Sequence, residues 1–465
     1  MENRALEFVL SACGGELLKG SPTEKFLRVN TDSRQGQAGD LFIAMSGERF
    51  DGHAFLEEVA ARGAVAVMVE RGHKLAELPN CAVIQVTNTR QAYGQIGAAY
   101  RKRFSVPVIA VAGSNGKTST KELIAAVLRQ KMGTLWSEAS YNNDVGVPAT
   151  LLRLDKTHHA VVVEVGTNHP GELAPLVKLI APQFGVITNV AREHLEFFGD
   201  LDGVAKEEGV LAELLPADGT LFLNGDNEWS VDIAKRSKAT VVRVGSSANC
   251  DWRVRGVKLD KNGSVFTVET AQKEFCGTYR IRLLGRHQVG NALFAIALGA
   301  ELGLRRDEIK LGLEECVPAK MRLEIYEASG VRVLDDAYNA NADSMLAALL
   351  VLQELPCKGR RVAVLGDMAE LGAQSESAHA EVGRRAAELG VEQLIAVGKM
   401  AGTMAQAARD AGLSRVIELE NAESAASSIK SFLKAGDTVL LKASRSSRLE
   451  RIGNALKAGD VGKRN

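Results

Sequence analysis

Short apolar runs rich in Val, Ile and Ala recur along the chain and alternate with segments whose apolar residues return at three- and four-residue spacing. The runs predict strands of the near-continuous apolar kind that belong in a parallel sheet covered on both faces, and the spaced segments predict the covering helices. Before residue 104 the runs fall at 40–45, 64–69 and 81–86, and a helix is predicted over 91–104. Between 105 and 317 they fall at 108–112, 160–165, 184–189 and 220–224, and after Pro318 at 331–335, 361–366, 393–398 and 438–441. The stretch 240–285 alternates polar and apolar residues without a long helix, which predicts a small antiparallel accessory sheet. The pattern implies an α/β protein of three domains: a small α/β domain over 1–104, a central mostly parallel sheet with accessory antiparallel strands over 105–317, and a Rossmann-like domain over 318–465. The last lacks GxGxxG, so its layout alone implies no dinucleotide.

At the N-terminus Leu6, Val9, Leu10, Cys13 and Leu17 share one helical face. Leu10-Ser11-Ala12-Cys13 looks like a lipoprotein cleavage site, but Glu7 interrupts the apolar stretch that such a signal needs. No run of apolar residues reaches the length of a membrane span.

Bulk composition narrows the class. A chain of 465 residues exceeds one ordinary core and suits about three domains. Its 57 Lys+Arg balance 57 Asp+Glu, so no basic footprint for nucleic acid or an anionic membrane exists. The 45 glycines suit many tight βα turns. Cysteines 13, 81, 250, 276, 316 and 357 lack CxxC spacing and are expected to be buried thiols in a reducing compartment, which places the protein in the cytoplasm. A monomer is expected.

The chemistry centres on one turn. The run at 108–112 ends in Gly113-Ser114-Asn115-Gly116-Lys117-Thr118-Ser119, and Leu123, Ile124, Val127 and Leu128 then continue at helical spacing. A strand that turns through glycines into a helix aims several backbone N–H groups at one point, where the helix dipole and Lys117 add positive charge. Such a turn cradles a polyphosphate and puts the Thr118 hydroxyl where it can ligate Mg²⁺. Only two residues separate the glycines, against four in the strict Walker pattern. ATP with Mg²⁺ is the expected nucleotide. Glu164 closes the run at 160–165 on a carboxyl edge, where a metal ligand is useful and is favoured over a strand-end carboxylate that merely faces water. His194, in the loop past 184–189, reads equally as a ligand or as a satisfied polar residue.

The shortened phosphate loop resembles that of the Mur ligases and folylpolyglutamate synthetases, ATP-dependent enzymes that join a carboxylate to an amine. The likeness to the Mur ligases runs along nearly the whole chain. Thr31-Asp32-Ser33-Arg34 with Gly52-His53 resembles their UDP-sugar-binding N-terminal domain, a part the folate ligases lack. Tyr141-Asn142-Asn143-Asp144-Val145-Gly146 resembles the asparagine-rich segment after the loop. Asp335-Asp336-Ala337-Tyr338-Asn339-Ala340-Asn341, with Gly366-Asp367-Met368 and Glu370-Leu371-Gly372, is similar to a signature of the branch that adds D-alanyl-D-alanine to UDP-N-acetylmuramoyl-tripeptide in peptidoglycan precursor synthesis. The resemblance implies that Glu164 and His194 ligate Mg²⁺ and that His287 and Asn291 lie around the adenine. It implies that Arg322 and Asp336 approach the ATP, and that Lys442, Ser444 and Arg445 lie near the incoming amine. Ser33, Arg34, Gly52, His53, Asn142, Asn143, Tyr338, Asn339 and Asn341 are then substrate contacts.

Three positions depart from the family. Many Mur ligases place a carbamylated lysine fourteen residues after the histidine, where this chain has Glu208. Glu208 is expected to supply a permanent carboxylate among the catalytic and metal-binding groups. Lys206, two residues earlier, is about 200° away around a helix and is aimed elsewhere. The other departures are Ala342 in place of a frequent proline and Ala443 in place of glycine. Two other functions fit parts of the sequence: a Mur-type ligase for another amino acid, and a nucleotide-dependent switch that hydrolyses slowly whatever amine is present.

Overall fold

The computed structural model describes residues 1–461 apart from 48–49, 74–76 and 261. The chain forms two compact units, one built from 1–110, 132–166 and 174–183, the other from 111–131, 167–173 and 184–465.

In the first unit, strands β1 (Glu16–Lys19), β2 (Arg28–Asn30), β3 (Asp40–Ile43), β4 (Ala66–Glu70) and β5 (Ala82–Val86) form a sheet in the order β1-β5-β4-β3-β2. Only β1 runs antiparallel, against β5. The helix Thr89–Arg101 follows, capped by the Asn88 side chain, which accepts the Gln91 N–H at 2.8 Å. It buries Ala92, Tyr93, Ile96 and Tyr100, and Gly97 lets it close on Pro148, which a Cβ would meet at 3.1 Å. The N-terminal helix spans Leu6–Cys13 and stops at Gly14, whose φ of 64° suits a left-handed cap. Leu17 therefore belongs to β1 and not to the apolar face of that helix.

The central sheet has nine strands: β6 (Val108–Ala112), β7 (Thr134–Trp136), β8 (Ala160–Glu164), β9 (Phe184–Ile187), β10 (Thr220–Asn224), β11 (Thr240–Gly245), β12 (Trp252–Asp260), β13 (Gly263–Thr270) and β14 (Gly277–Ile281). Their order is β14-β13-β12-β11-β10-β9-β6-β8-β7. Strand β6 passes from the first unit into the second between Ala110 and Val111. Pairing is parallel from β9 through β12 and antiparallel across β12, β13 and β14. The alternating stretch is thus no separate accessory sheet. Its strands extend the main sheet, because β11 and β12 pair in parallel through Val244 and Trp252 and carry the hairpin with them.

The third sheet comprises β15 (Glu324–Ala328), β16 (Val331–Asp335), β17 (Arg361–Gly366), β18 (Gln393–Val397), β19 (Val416–Leu419) and β20 (Thr438–Lys442), in the order β15-β16-β20-β17-β18-β19. All pairs are parallel except the edge pair β15-β16. Successive strand residues feed two cores: Leu334, Leu365, Leu394 and Leu440 on one face, Val333, Val364, Ile395 and Leu441 on the other. The order reverses around β20, and the carboxyl ends of β16, β20 and β17 carry Asp335-Asp336, Lys442 and Gly366-Asp367. Such a reversal opens a crevice suited to ligands. No described helix is long and apolar enough to cross a membrane. All six cysteines are free; Cys81, Cys250 and Cys316 are buried, whereas Cys13, Cys276 and Cys357 are partly exposed, against the expectation for all six.

Candidate active site

The turn after β6 has the expected shape. Gly113 has φ 109° and Gly116 has φ 85°, and the helix Lys117–Leu128 starts at once. A Cβ on Gly113 would lie 2.3 Å from the Thr188 hydroxyl, and one on Gly116 would lie 2.6 Å from the Asn291 side chain. Both glycines are therefore compelled by backbone angle and by space. Asn189 fixes the turn between them, its carbonyl accepting the Ser114 N–H at 2.9 Å and its side chain the Asn115 N–H at 2.8 Å. Ser114 and Ala191 add two more bonds, the hydroxyl donating to the Ala191 carbonyl at 3.3 Å and accepting its N–H at 2.9 Å.

Around this turn the second unit gathers charge. The Lys117 ammonium donates to the Gly113 and Ser114 carbonyls at 2.5 and 3.1 Å and lies 3.6 Å from the Glu193 carboxylate. Glu208, at the end of the helix Leu201–Glu208, accepts the Gly113 N–H at 2.7 Å. Glu208 is 1% exposed, so it is no solvated helix charge, while Lys206 points outward as expected. Burial, partly offset by Lys117, pushes the Glu208 carboxyl up to about 8. Its neighbour Glu207 turns to another loop and accepts the Gly171 and Leu173 N–H groups at 2.9 and 2.8 Å.

The third-sheet region reaches the same turn. Arg322 places a guanidinium nitrogen 3.5 Å from the Thr118 hydroxyl and lies 4.1 Å over the Tyr338 ring, which Arg445 also approaches, at 5.9 Å. The Asn341 amide donates to the Asn115 side chain at 2.9 Å. Asp336 accepts the Leu323 N–H and pairs with Lys442 at 2.5 Å, and Lys442 also donates to the Asn339 carbonyl at 3.0 Å. Lys442 is 3% exposed and its pKa is lowered by burial, so its ammonium braces this region from within. Asn339 accepts the Arg445 N–H at 3.3 Å, and the buried Ser444 lies within hydrogen-bond reach of Ser446. The loop Arg192-Glu193-His194 is clamped too. Arg192 binds Asp343 and Glu381, each at 2.6 Å, and His194 Nδ1 bonds the Glu370 carboxylate, which that bond holds below the usual carboxylate range.

Two residues that the resemblance puts around the adenine lie on the helix that packs on this turn. Asn291 packs its side chain on Gly116 and bonds Gln288 at 3.0 Å, because the tight turn needs a filler there, and His287 is exposed on the first turn of the helix Arg286–Glu301. Ser119 is buried on the loop helix.

In the first unit Glu164 is 1% exposed and accepts the Asn142 amide at 2.9 Å, while Asn143 accepts the Gly146 N–H and starts the helix Gly146–Leu151. Ser33 and Arg34 form an exposed turn capped by Asp32. Gly52 packs where a Cβ would meet the Met45 nitrogen at 2.8 Å. His53 bonds Asp51 at 2.6 Å, accepts the Glu70 N–H at 3.0 Å and stacks on His73 at 3.6 Å. Asp51, His53 and His73 form the one set of three potential ligands clustered among the described residues. It does not suit a metal: with Nε2 accepting an N–H, the neutral His53 ring carries its proton on Nδ1 and has no lone pair to give.

Oxygen donors and a buried carboxylate raised by desolvation do suit Mg²⁺ beside the loop, since a cation would favour the ionised form of Glu208. Sequence reasoning missed Glu193 and Glu370 as site residues. Their partners, Lys117 and His194, were in view, but Glu370 lies 176 residues from His194 and no local spacing could join them.

Comparison with known proteins decides the family. Residues 26–112 match the model described as Mur ligase family, catalytic domain; 111–299 match the Mur ligase middle domain, and 321–445 the Mur ligase, glutamate ligase domain. The UDP-N-acetylmuramoyl-tripeptide–D-alanyl-D-alanine ligase of Escherichia coli (strain K12) is 39% identical over 92% of this chain and 93% of its own length. The chain belongs to the Mur ligase family. The Bacillus subtilis (strain 168) ligase of the same name is 34% identical over 91% of this Mur ligase. The crystal structure of MurF from Acinetobacter baumannii superposes with a TM-score of 0.90 at 30% identity, covering 98% of this chain and 99% of that one.

Proposed function

We infer that this Mur ligase adds D-alanyl-D-alanine to UDP-N-acetylmuramoyl-tripeptide at the expense of ATP, completing the cytoplasmic peptidoglycan precursor. The supporting observation is the convergence of Arg322 and Asn341 on Thr118 and Asn115, which brings one guanidinium and one amide onto a phosphate-type loop. Its domains span 1–104, 105–317 and 318–465, and the protein acts as a monomer.

The terminal carboxylate of the tripeptide attacks the γ-phosphorus of ATP, the bond to the β,γ-bridging oxygen breaks, and ADP leaves an acyl phosphate. The dipeptide amine then attacks the acyl carbon, phosphate departs, and the amine gives up a proton. Two anions meet in the first step, so neutralising charge is the main demand. Lys117 and Arg322 supply it at the loop. Thr118, His194 and Glu208 would hold Mg²⁺, which would shield the phosphates when bound. Glu208 stands in for a carbamate. Ser33, Arg34, Gly52 and His53 hold the UDP-muramoyl part with Asn142 and Asn143, while Tyr338, Asn339, Asn341, Ser444 and Arg445 line the dipeptide side. His287 and Asn291 border the nucleotide.

The test is phosphate release from ATP with UDP-muramoyl-tripeptide, with and without D-alanyl-D-alanine. Release that requires both, with a mass gain equal to the dipeptide less water, supports the reading. Release driven by a single amino acid would move the protein to another branch, and hydrolysis indifferent to amines would reduce it to a nucleotide switch.

A further inference from the structure

Two residues other than glycine hold left-handed backbone and touch each other. His194 has φ 49° and Glu370 has φ 61°, a conformation that residues with a Cβ rarely adopt. His194 Nδ1 bonds the Glu370 carboxylate, and the Glu196 N–H donates to the Glu370 carbonyl at 3.1 Å. Gly372 is pressed against the same segment, since a Cβ there would lie 3.2 Å from Glu196 Cα.

The loop bearing Glu370 is anchored in turn. The Asp367 carboxylate accepts the Lys399 and Met400 N–H groups, both at 2.9 Å. The Met368 N–H donates to Nε2 of His379, a fully buried ring whose Nδ1 donates to the Ser375 carbonyl at 2.7 Å. The loop is a rigid mount, which a carboxylate that fixes another side chain requires.

With Nδ1–H committed to a carboxylate, a neutral His194 presents its lone pair at Nε2. That edge lies 3.9 Å from the Glu193 carboxylate, itself 3.6 Å from the Lys117 ammonium. The Nε2 edge thus lies one carboxylate away from the Lys117 ammonium of the phosphate loop.

We propose that Glu370 is a positioning residue that sets the tautomer and ring plane of His194, so that seating the 367–372 loop on 194–196 completes the divalent-cation site beside the phosphate loop. The proposal rests on reading that site as a nucleotide–Mg²⁺ site. It makes the third-sheet region a contributor to cation binding through a residue that itself need not touch the cation.

The test uses the full-length protein with Glu370→Ala and Glu370→Gln. Nitrogen-15 spectra of the histidine rings, with His194 assigned by its loss in His194→Ala, report the tautomer. Electron paramagnetic resonance reports Mn²⁺ affinity in the presence of ADP. Glu370→Ala should mix the His194 tautomers and weaken Mn²⁺ roughly 10- to 100-fold, as loss of such a support does at other metal sites. Glu370→Gln should restore most of both, because its amide oxygen still accepts Nδ1–H. An unchanged tautomer and unchanged Mn²⁺ affinity in a folded Glu370→Ala protein would overturn the proposal. Absence of ADP-dependent Mn²⁺ binding in the wild type would instead sink the nucleotide–metal reading, with the ring spectra still deciding whether Glu370 sets the tautomer.

Discussion

Lys117 sits between two loop carbonyls and two carboxylates, Glu193 within ion-pair range and the buried Glu208 on the Gly113 amide. Its charge therefore serves both the phosphates and the fold. Lys117→Met should lower turnover on the order of a hundredfold or more, as single electrostatic contacts to a transition state do. Stopped-time assays of ADP release alongside thermal melting separate the two effects. Glu208 carries a sharper expectation. If its carboxylate replaces a carbamate, wild-type activity is indifferent to added bicarbonate and Glu208→Ala loses it without rescue. Bicarbonate-dependent activity that survives Glu208→Ala would count against the assignment. A third residue links pH to folding. Burial raises the Asp335 carboxyl to about 6, above its ordinary 3.8. A raised folded pKa stabilises the protein below the unfolded value and loses that stability as pH climbs through the folded one. Melting temperatures of wild type relative to Asp335→Asn should therefore fall between about pH 4 and 6 and level off above.

Among elements, the helix Ala342–Glu354 explains one departure from the family. Asn341 is its N-cap and accepts the Ser344 N–H at 2.9 Å, so Ala342 is the first helical residue, where proline is favoured and lacks only an amide the helix does not use. Ala342→Pro should keep activity and raise stability by about 0.4–1 kcal/mol, read as a shift in urea midpoint. A destabilised variant would show that the buried site cannot take the ring. The same logic measures what was legible in sequence. The parallel strands were visible because their apolar runs are nearly continuous. Short edge strands such as Thr134–Trp136, Glu324–Ala328 and Val416–Leu419 carried too little pattern to announce themselves. The loop glycines, Lys117 and Thr118 declared a phosphate site by local order alone. Glu208 was singled out only through a family spacing, Glu370 only as part of a signature without a role, and Glu193 not at all, because burial and long-range pairing set what these carboxylates touch.

For the second unit taken whole, the question is what holds the 190–196 loop to the third-sheet region. Arg192 makes four of the bonds that do so. Its backbone N–H, Nε and Nη2 all bond the Asp343 carboxylate, and Nη1 bonds Glu381. These partners lie 151 and 189 residues away, on two different helices. A guanidinium bridging two carboxylates is geometrically specific, and removing it leaves two like charges without their cation. Because the group is a quarter exposed, the net loss should be modest, on the order of 1–2 kcal/mol. That loss falls on docking more than on folding, since each region retains its own core. Arg192→Ala should therefore melt near the wild type, yet show faster amide exchange at 192–196 and 341–345 and a higher KM for ATP. Asp343→Asn should do much the same, and the double variant should cost less than the sum, because both changes break one contact. Full additivity would mean that Arg192 and Asp343 act separately, and the clamp on His194 would then have to rest on Glu370 alone.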